Sequence, residues 1–173
     1  MAHARLDFVS CRRMKIAGTS EIRTQLKELN PNELREIILR LGRYKLDNKG
    51  LLNYLLFGAS SESDYLDEVK EEIRQQLQQT NTSSFYLAKK SIRKALKTAN
   101  THIKYTGKEY VIVELLLFYC SELLALPLDI KRSEVLSNLF DRQVVRIEKA
   151  LAKLHEDLQY DYHKELQEVL REW

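Results

Sequence analysis

The sequence predicts an all-α protein: a single compact multi-helix domain of about six or seven helices around a buried central helix over 109–126. Three observations carry this expectation. Leu, Lys, Glu, Ala and Arg dominate and favour helix, whereas five Gly and two Pro leave little material for loops. Apolar residues recur at helical spacings along most of the chain. The most apolar run, EYVIVELLLFYCSELLAL, is interrupted only by Glu109, Glu114, Ser121 and Glu122. On a helix the last three fall within roughly one third of the circumference, so the rest must be covered by other elements.

Residues 1–18 read as a basic N-terminal tail with Arg5, Arg12, Arg13 and Lys15 but no sustained periodicity. The helical domain occupies 19–173. Thr19–Leu29 places Ile22, Leu26 and Leu29 on one side. Asn30-Pro31-Asn32-Glu33 is a strong helix start, with a cap, a proline in the first turn and a capping-box acid. The helix it opens carries Leu34, Ile37, Ile38 and Leu41, weakens at Gly42 and breaks at Asp47-Asn48-Lys49-Gly50. Leu51–Phe57 is a short apolar helix closed by Gly58.

Ser61-x-x-Asp64 is the expected cap of the next helix, whose Tyr65, Val69, Ile73 and Leu77 repeat every four residues. Its other face is acidic, with Glu62, Asp64, Asp67, Glu68, Glu71 and Glu72. After a polar hinge at Thr80–Ser84, Phe85 to about Tyr105 forms a helix with Ala88, Ile92, Ala95, Leu96, Ala99 and Ile103 on its apolar side. Thr106-x-x-Glu109 is the expected cap of the central helix, and Pro127 its stop. Ser133 opens the last long element, where Phe140, Val144, Ile147, Leu151, Leu154 and Leu158 make one packing seam. Packing of that seam within the chain is expected, and packing on a second copy is the alternative. No internal repeat stands out, so antiparallel hairpins or a short superhelix both suit the pattern.

The net charge of +3 hides a segmental layout. Residues 61–81 carry 2 basic and 6 acidic side chains, and residues 82–108 carry 7 basic and none acidic. Those seven are Lys89, Lys90, Arg93, Lys94, Lys97, Lys104 and Lys108. With Tyr86, His102 and Tyr105 beside them, they could track a phosphate backbone. The competing reading is mutual neutralisation by the acidic helix in an antiparallel hairpin. An anionic membrane surface is a third, weaker fit.

Other chemistry finds less support. His155, Glu156, Asp157, Asp161 and His163 cluster, but without a metal-ligand spacing. Glu114 and Glu122 lie about 12 Å apart along the axis, so each is expected to reach solvent or a cation rather than form an acid–base pair. No nucleophile elbow, phosphate-binding glycine loop or dinucleotide fingerprint occurs. Cys11 and Cys120 make no disulfide framework or zinc spacing, which suits a reducing compartment. Leu6–Cys11 is far shorter than the ~7–15 apolar residues of a secretory signal, and 109–126 is too interrupted for a span of ~20. The cytoplasm is the expected compartment, with Met14 an alternative start to Met1.

The expectation is a non-catalytic helical protein-interaction or adaptor module, with a protein partner, no cofactor and no metal. The alternative is a protein that binds nucleic acid, or another polyanion, through the basic helix 89–108.

Overall fold

The computed structural model describes residues 16–173. The basic side chains read in the tail, together with Cys11 and Met14, lie outside these residues. Eight α-helices follow in order among the described residues: α1 Thr19–Lys27, α2 Pro31–Tyr44, α3 Leu46–Asn53, α4 Glu62–Gln78, α5 Phe85–Thr106, α6 Glu109–Leu124, α7 Glu134–Leu151 and α8 Glu156–Glu172. A π-helical turn, Tyr54–Gly58, continues α3, and a 3₁₀ turn, Ile130–Arg132, precedes α7. The described chain is all-α, as composition and periodicity predict.

Helix α6 lies at the centre and packs against α4, α5, α7 and α8. Val111, Val113, Leu115, Leu116, Leu117, Tyr119, Cys120 and Leu123 are buried, and these positions run most of the way around the helix. Each surrounding helix contributes one stripe: Leu66, Val69, Ile73 and Leu77 from α4, Ala88, Ile92, Ala95, Ala99 and Ile103 from α5, Leu136, Phe140 and Ile147 from α7, and Leu166 and Val169 from α8. Three of these α5 positions are alanines, whose small side chains permit short interhelical distances. Tyr119 is fully buried, and its hydroxyl donates to the Ile92 carbonyl at 3.2 Å, so this polar atom reaches the core without an unmet bond.

The start of α2 follows the sequence closely. Asn30 Oδ1 accepts the N–H groups of Asn32 and Glu33 at 2.9 and 3.0 Å, and the Glu33 carboxylate accepts the Asn30 N–H at 2.9 Å. Three other expected caps are not made by side chains. Ser61 and Ser133 occupy the cap positions of α4 and α7 without side-chain cap bonds. Thr106 belongs to the end of α5, where its hydroxyl donates to the Ile103 carbonyl at 3.1 Å, and α6 begins after Lys108 instead. Gly107, at φ 65°, makes the left-handed turn between α5 and α6.

Two expected boundaries move. Asp47–Gly50 does not break the chain but lies inside α3, and the break falls at Lys45, whose backbone is extended. The Asn48 side chain donates to the Leu41 carbonyl at 2.8 Å, satisfying the end of α2. Gly50 is a contact residue here, since a Cβ at this position would collide with the Tyr105 ring and hydroxyl. The seam read from Phe140 to Leu158 is also divided. Helix α7 ends at Leu151, and α8 starts at Glu156, contacts α6 and places Trp173 in a stack on Phe140 at 4.2 Å. Leu154 stays half-buried, whereas Leu158 is 44% exposed. The turn after Leu151 ends the seam and brings α8 back onto the core through Leu166 and Val169 instead.

The largest departure is at the N-terminal end. The N-terminal helices carry apolar positions at helical spacing, yet α1, α2 and α3 have no buried residue. Helix α2 packs on α3, and α3 and the π turn join the body through α5 and α4.

Leu116 is fully buried in α6, so Leu116→Ala should destabilise the fold by about 2–5 kcal/mol in urea unfolding. Leu158→Ala should change stability by no more than about 0.5 kcal/mol, because that side chain has left the core. Equal losses at the two positions would contradict the division of the seam.

Candidate polyanion interface

Helix α5 turns its Ala/Ile stripe inward, and the cations occupy the opposite face. Tyr86, Lys90, Arg93, Lys97 and Lys104 follow one another at intervals of four, three, four and seven, which makes a single stripe along the helix. Lys89 and Lys94 flank it. Lys89 is half-buried, and the other five basic residues and Tyr86 are exposed, Tyr86 by 84%. From Lys89 to Lys104 the face runs about 22 Å.

Ion pairing with α4 is confined to one end of this face. Helices α4 and α5 pack closely, but no described carboxylate lies within ion-pair distance of Lys89, Lys90, Arg93, Lys94, Lys97 or Lys104. Only Lys108, in the turn after α5, pairs with an acid of α4, Glu62 at 2.7 Å. Three of the other acids of α4 hold side chains of their own helix, and Glu72 also lies 3.9 Å from His102 of α5. Glu71 holds Arg74 and Gln75, Glu72 holds Gln76, and Asp67 lies 3.8 Å from Lys70.

Three of the seven basic residues meet in one depression. Arg93, Lys97 and Lys104 line a cavity of about 340 Å³ with Leu96, Asn100, Thr101 and Tyr105 of α5 and Asp47 of α3. The single carboxylate leaves this group with a surplus of positive charge. Burial, together with the nearby Asp47 charge, raises the Tyr105 hydroxyl above its ordinary pKa, so it remains a hydrogen-bond donor at neutral pH. Lys89, Lys90 and Lys94 lie along the same helix outside the cavity. Lys108 is separate from them and is bound into a structural cluster.

That cluster was not legible in the sequence. Glu62 accepts hydrogen bonds from Tyr54 at 2.9 Å, Lys108 at 2.7 Å and Tyr110, joining the π turn, α4, the α5–α6 turn and α6. Burial alone would raise the Glu62 carboxyl, but these three donors outweigh it and hold the group below the usual carboxylate range. Beside it, the Tyr65 hydroxyl meets His102 Nδ1 at 2.6 Å, and the imidazole packs edge-on against the Tyr65 and Tyr105 rings. Burial pushes the His102 pKa down, with Glu72 opposing it from 3.9 Å. The only sequence signal was an abundance of tyrosine, which specifies no partner.

The remaining candidates resolve into local structure. Glu114 accepts from Lys70 at 2.6 Å and Glu122 from Arg74 at 3.0 Å, so the polar seam of α6 meets cations of α4. The Arg74 guanidinium also lies over the Phe118 ring between them. Cys120 is buried, and its thiol is pushed up to about 12 by desolvation, which disfavours the reactive thiolate. His155 caps α8 loosely and lies 3.4 Å from Asp157 on an exposed turn. No group of three or more metal-ligating side chains converges among the described residues.

Because the folded His102 resists protonation, the unfolded chain takes up its proton first as pH falls through about 6.5. The neutral imidazole's contribution is therefore complete above that pH and declines below it, levelling off beneath the folded pKa. Native protein should lose more in Tm than His102→Gln between pH 7.5 and 5.5. Parallel pH profiles for the two proteins would remove His102 as the titrating group.

No helix among the described residues is long and apolar enough to cross a membrane. Comparison with known proteins finds no family model, no curated protein and no solved structure that matches the chain.

Proposed function

We propose that the chain is a non-catalytic binding protein that holds the phosphate backbone of nucleic acid on the outer face of α5. The observation that carries this reading is the six-cation face of Lys89, Lys90, Arg93, Lys94, Lys97 and Lys104, with no described carboxylate in ion-pair range. Cations left unpaired along about 22 Å of one rigid helix favour a polyanion over an isolated anion. The net charge of only +3 makes long-range attraction modest. Binding therefore depends on this one face and weakens steeply with salt. No base-reading arrangement accompanies the cations, so the contacts position the backbone and read little sequence.

Tyr86 favours a single strand. It is a large aromatic ring at the head of the basic stripe and almost wholly exposed. Every base offers a face to stack on such a ring, and the cations behind it follow the phosphates. The protein-interaction reading rests on a different observation, the uncovered apolar faces of α2, α3 and the π turn. The two readings concern separate surfaces and are compatible.

Fluorescence anisotropy with a labelled single-stranded 20-mer at 50 mM salt provides the test. Lys90→Glu/Arg93→Glu/Lys94→Glu/Lys97→Glu should abolish binding while leaving helix content unchanged. Lys97→Gln alone should flatten the log K against log salt slope by about 1. Tyr86→Ala should weaken single-strand binding roughly 10-fold or more and affect duplex less, as expected for the loss of one stacked base. Absence of binding by the native chain at low salt would end the proposal.

A further inference from the structure

Helix α2 places Leu34, Ile37, Ile38 and Leu41 on one face, and that face is only partly covered. Ile37, Ile38 and Leu41 are 39%, 44% and 54% exposed, and α2's substantial contact is with α3 alone. Leu39, on the opposite side of α2, and Leu46, Leu55, Leu56 and Phe57 are exposed as well, so apolar surface on the order of several hundred Å² lies in water across this end of the molecule. A monomer rarely leaves so much uncovered, and a stable interface takes about 800 Å² from each partner. A partner surface is needed, and the charges of α2 say which.

We propose that α2 pairs antiparallel with α2 of a second copy of this chain, forming a closed two-fold dimer. The acids of α2, Glu33 and Glu36, lie in its N-terminal half. The bases Arg40 and Arg43 lie in its C-terminal half, and Arg35 is tied back to Asn32 at 2.9 Å. A uniformly acidic partner would meet Glu33 and Glu36, and a uniformly basic one Arg40 and Arg43. The inverse of α2 itself matches both ends. Glu33 and Arg40 are two turns apart and border the apolar face on the same side. Reversing a second helix about a point near Ile37 therefore sets each Glu33 opposite the other copy's Arg40.

Glu33 retains the means to do this, because one of its oxygens takes the Asn30 N–H and the other has no protein partner among the described residues. The apolar residues form a continuous strip across the same dyad, with Leu34 of one helix near Leu41 of the other. The antiparallel arrangement also opposes the two helix dipoles. Such an isologous contact uses the same patch twice and closes at two copies. The dimer is independent of the polyanion reading, since no residue it needs lies on α5.

Sedimentation velocity of the full chain from 1 to 100 µM tests the proposal. The native chain should be dimeric, and Ile37→Asp should be monomeric at 100 µM with unchanged helix content. Arg40→Glu should weaken the dimer at least 10-fold, and Glu33→Lys/Arg40→Glu should restore it; Asn30 Oδ1 still caps the helix in the double variant. In a Cys11→Ser background, Ile37→Cys should form a disulfide-linked dimer under mild oxidation, and Leu158→Cys on α8 should not. A monomeric native chain at 100 µM overturns the proposal, as does a dimer indifferent to both Ile37→Asp and Arg40→Glu. So does a chain beginning at Ile16 that dimerises when the full chain does not, because the face would then belong to residues 1–15.

Discussion

The structure depends first on the need to cover α6 on nearly every side. A helix with one stripe of apolar residues can lie on a surface; one buried at Val111, Val113, Leu115, Leu116, Leu117, Tyr119, Cys120 and Leu123 cannot. Four helices surround it, and each supplies one stripe while keeping a polar face in water. The turn between α7 and α8 serves the same need, since it brings the last helix back onto α6 rather than prolonging α7 into solvent. The acids of α6 then constrain α4. Glu114 and Glu122 are only partly exposed, and carboxylates in such positions require cations or ready access to water. Lys70 and Arg74 meet that requirement.

This has a consequence for charge on the far side of α4. With its two basic residues turned towards α6, Asp67, Glu71 and Glu72 hold side chains of the same helix and Glu62 holds its own cluster. Helix α5 lies alongside but directs its cations away from α4, because the Ala88–Ile103 stripe must face the core. The basic and acidic runs are neighbours in sequence and in space, yet their charged faces diverge. The open cationic face of α5 is thus a product of core packing.

The N-terminal helices follow another logic. Once four helices enclose α6, no core position remains for α1 and α2. Helix α3 is admitted at the edge through the close approach of Gly50 to Tyr105, and the π turn through Tyr54, which reaches Glu62. Helix α2 is held at one remove, with an apolar face as regular as those in the core. Amphipathicity in this chain therefore has two outcomes, burial within its own core and exposure at its surface, and the residue pattern of α2 does not distinguish them.

What the sequence determined by itself was local. Helix formation, the capped start of α2 at Asn30, the core status of α6 and the basic stripe of α5 all arise from residue type and a period of 3.6, which any reader of the chain can apply. What only the tertiary structure decided was relational. Asp47–Gly50 looked like a break because a glycine and two turn formers stand together; packing of Gly50 on Tyr105 kept it helical. The Phe140–Leu158 seam looked continuous because periodicity is blind to a reversal that preserves spacing up to Leu154. The three donors on Glu62, the pairing of Glu114 and Glu122 with α4, and the exposure of α2 depend on the rotation of one helix against another. That rotation is set by how side chains from distant parts of the chain fill a shared volume, and no local pattern encodes it.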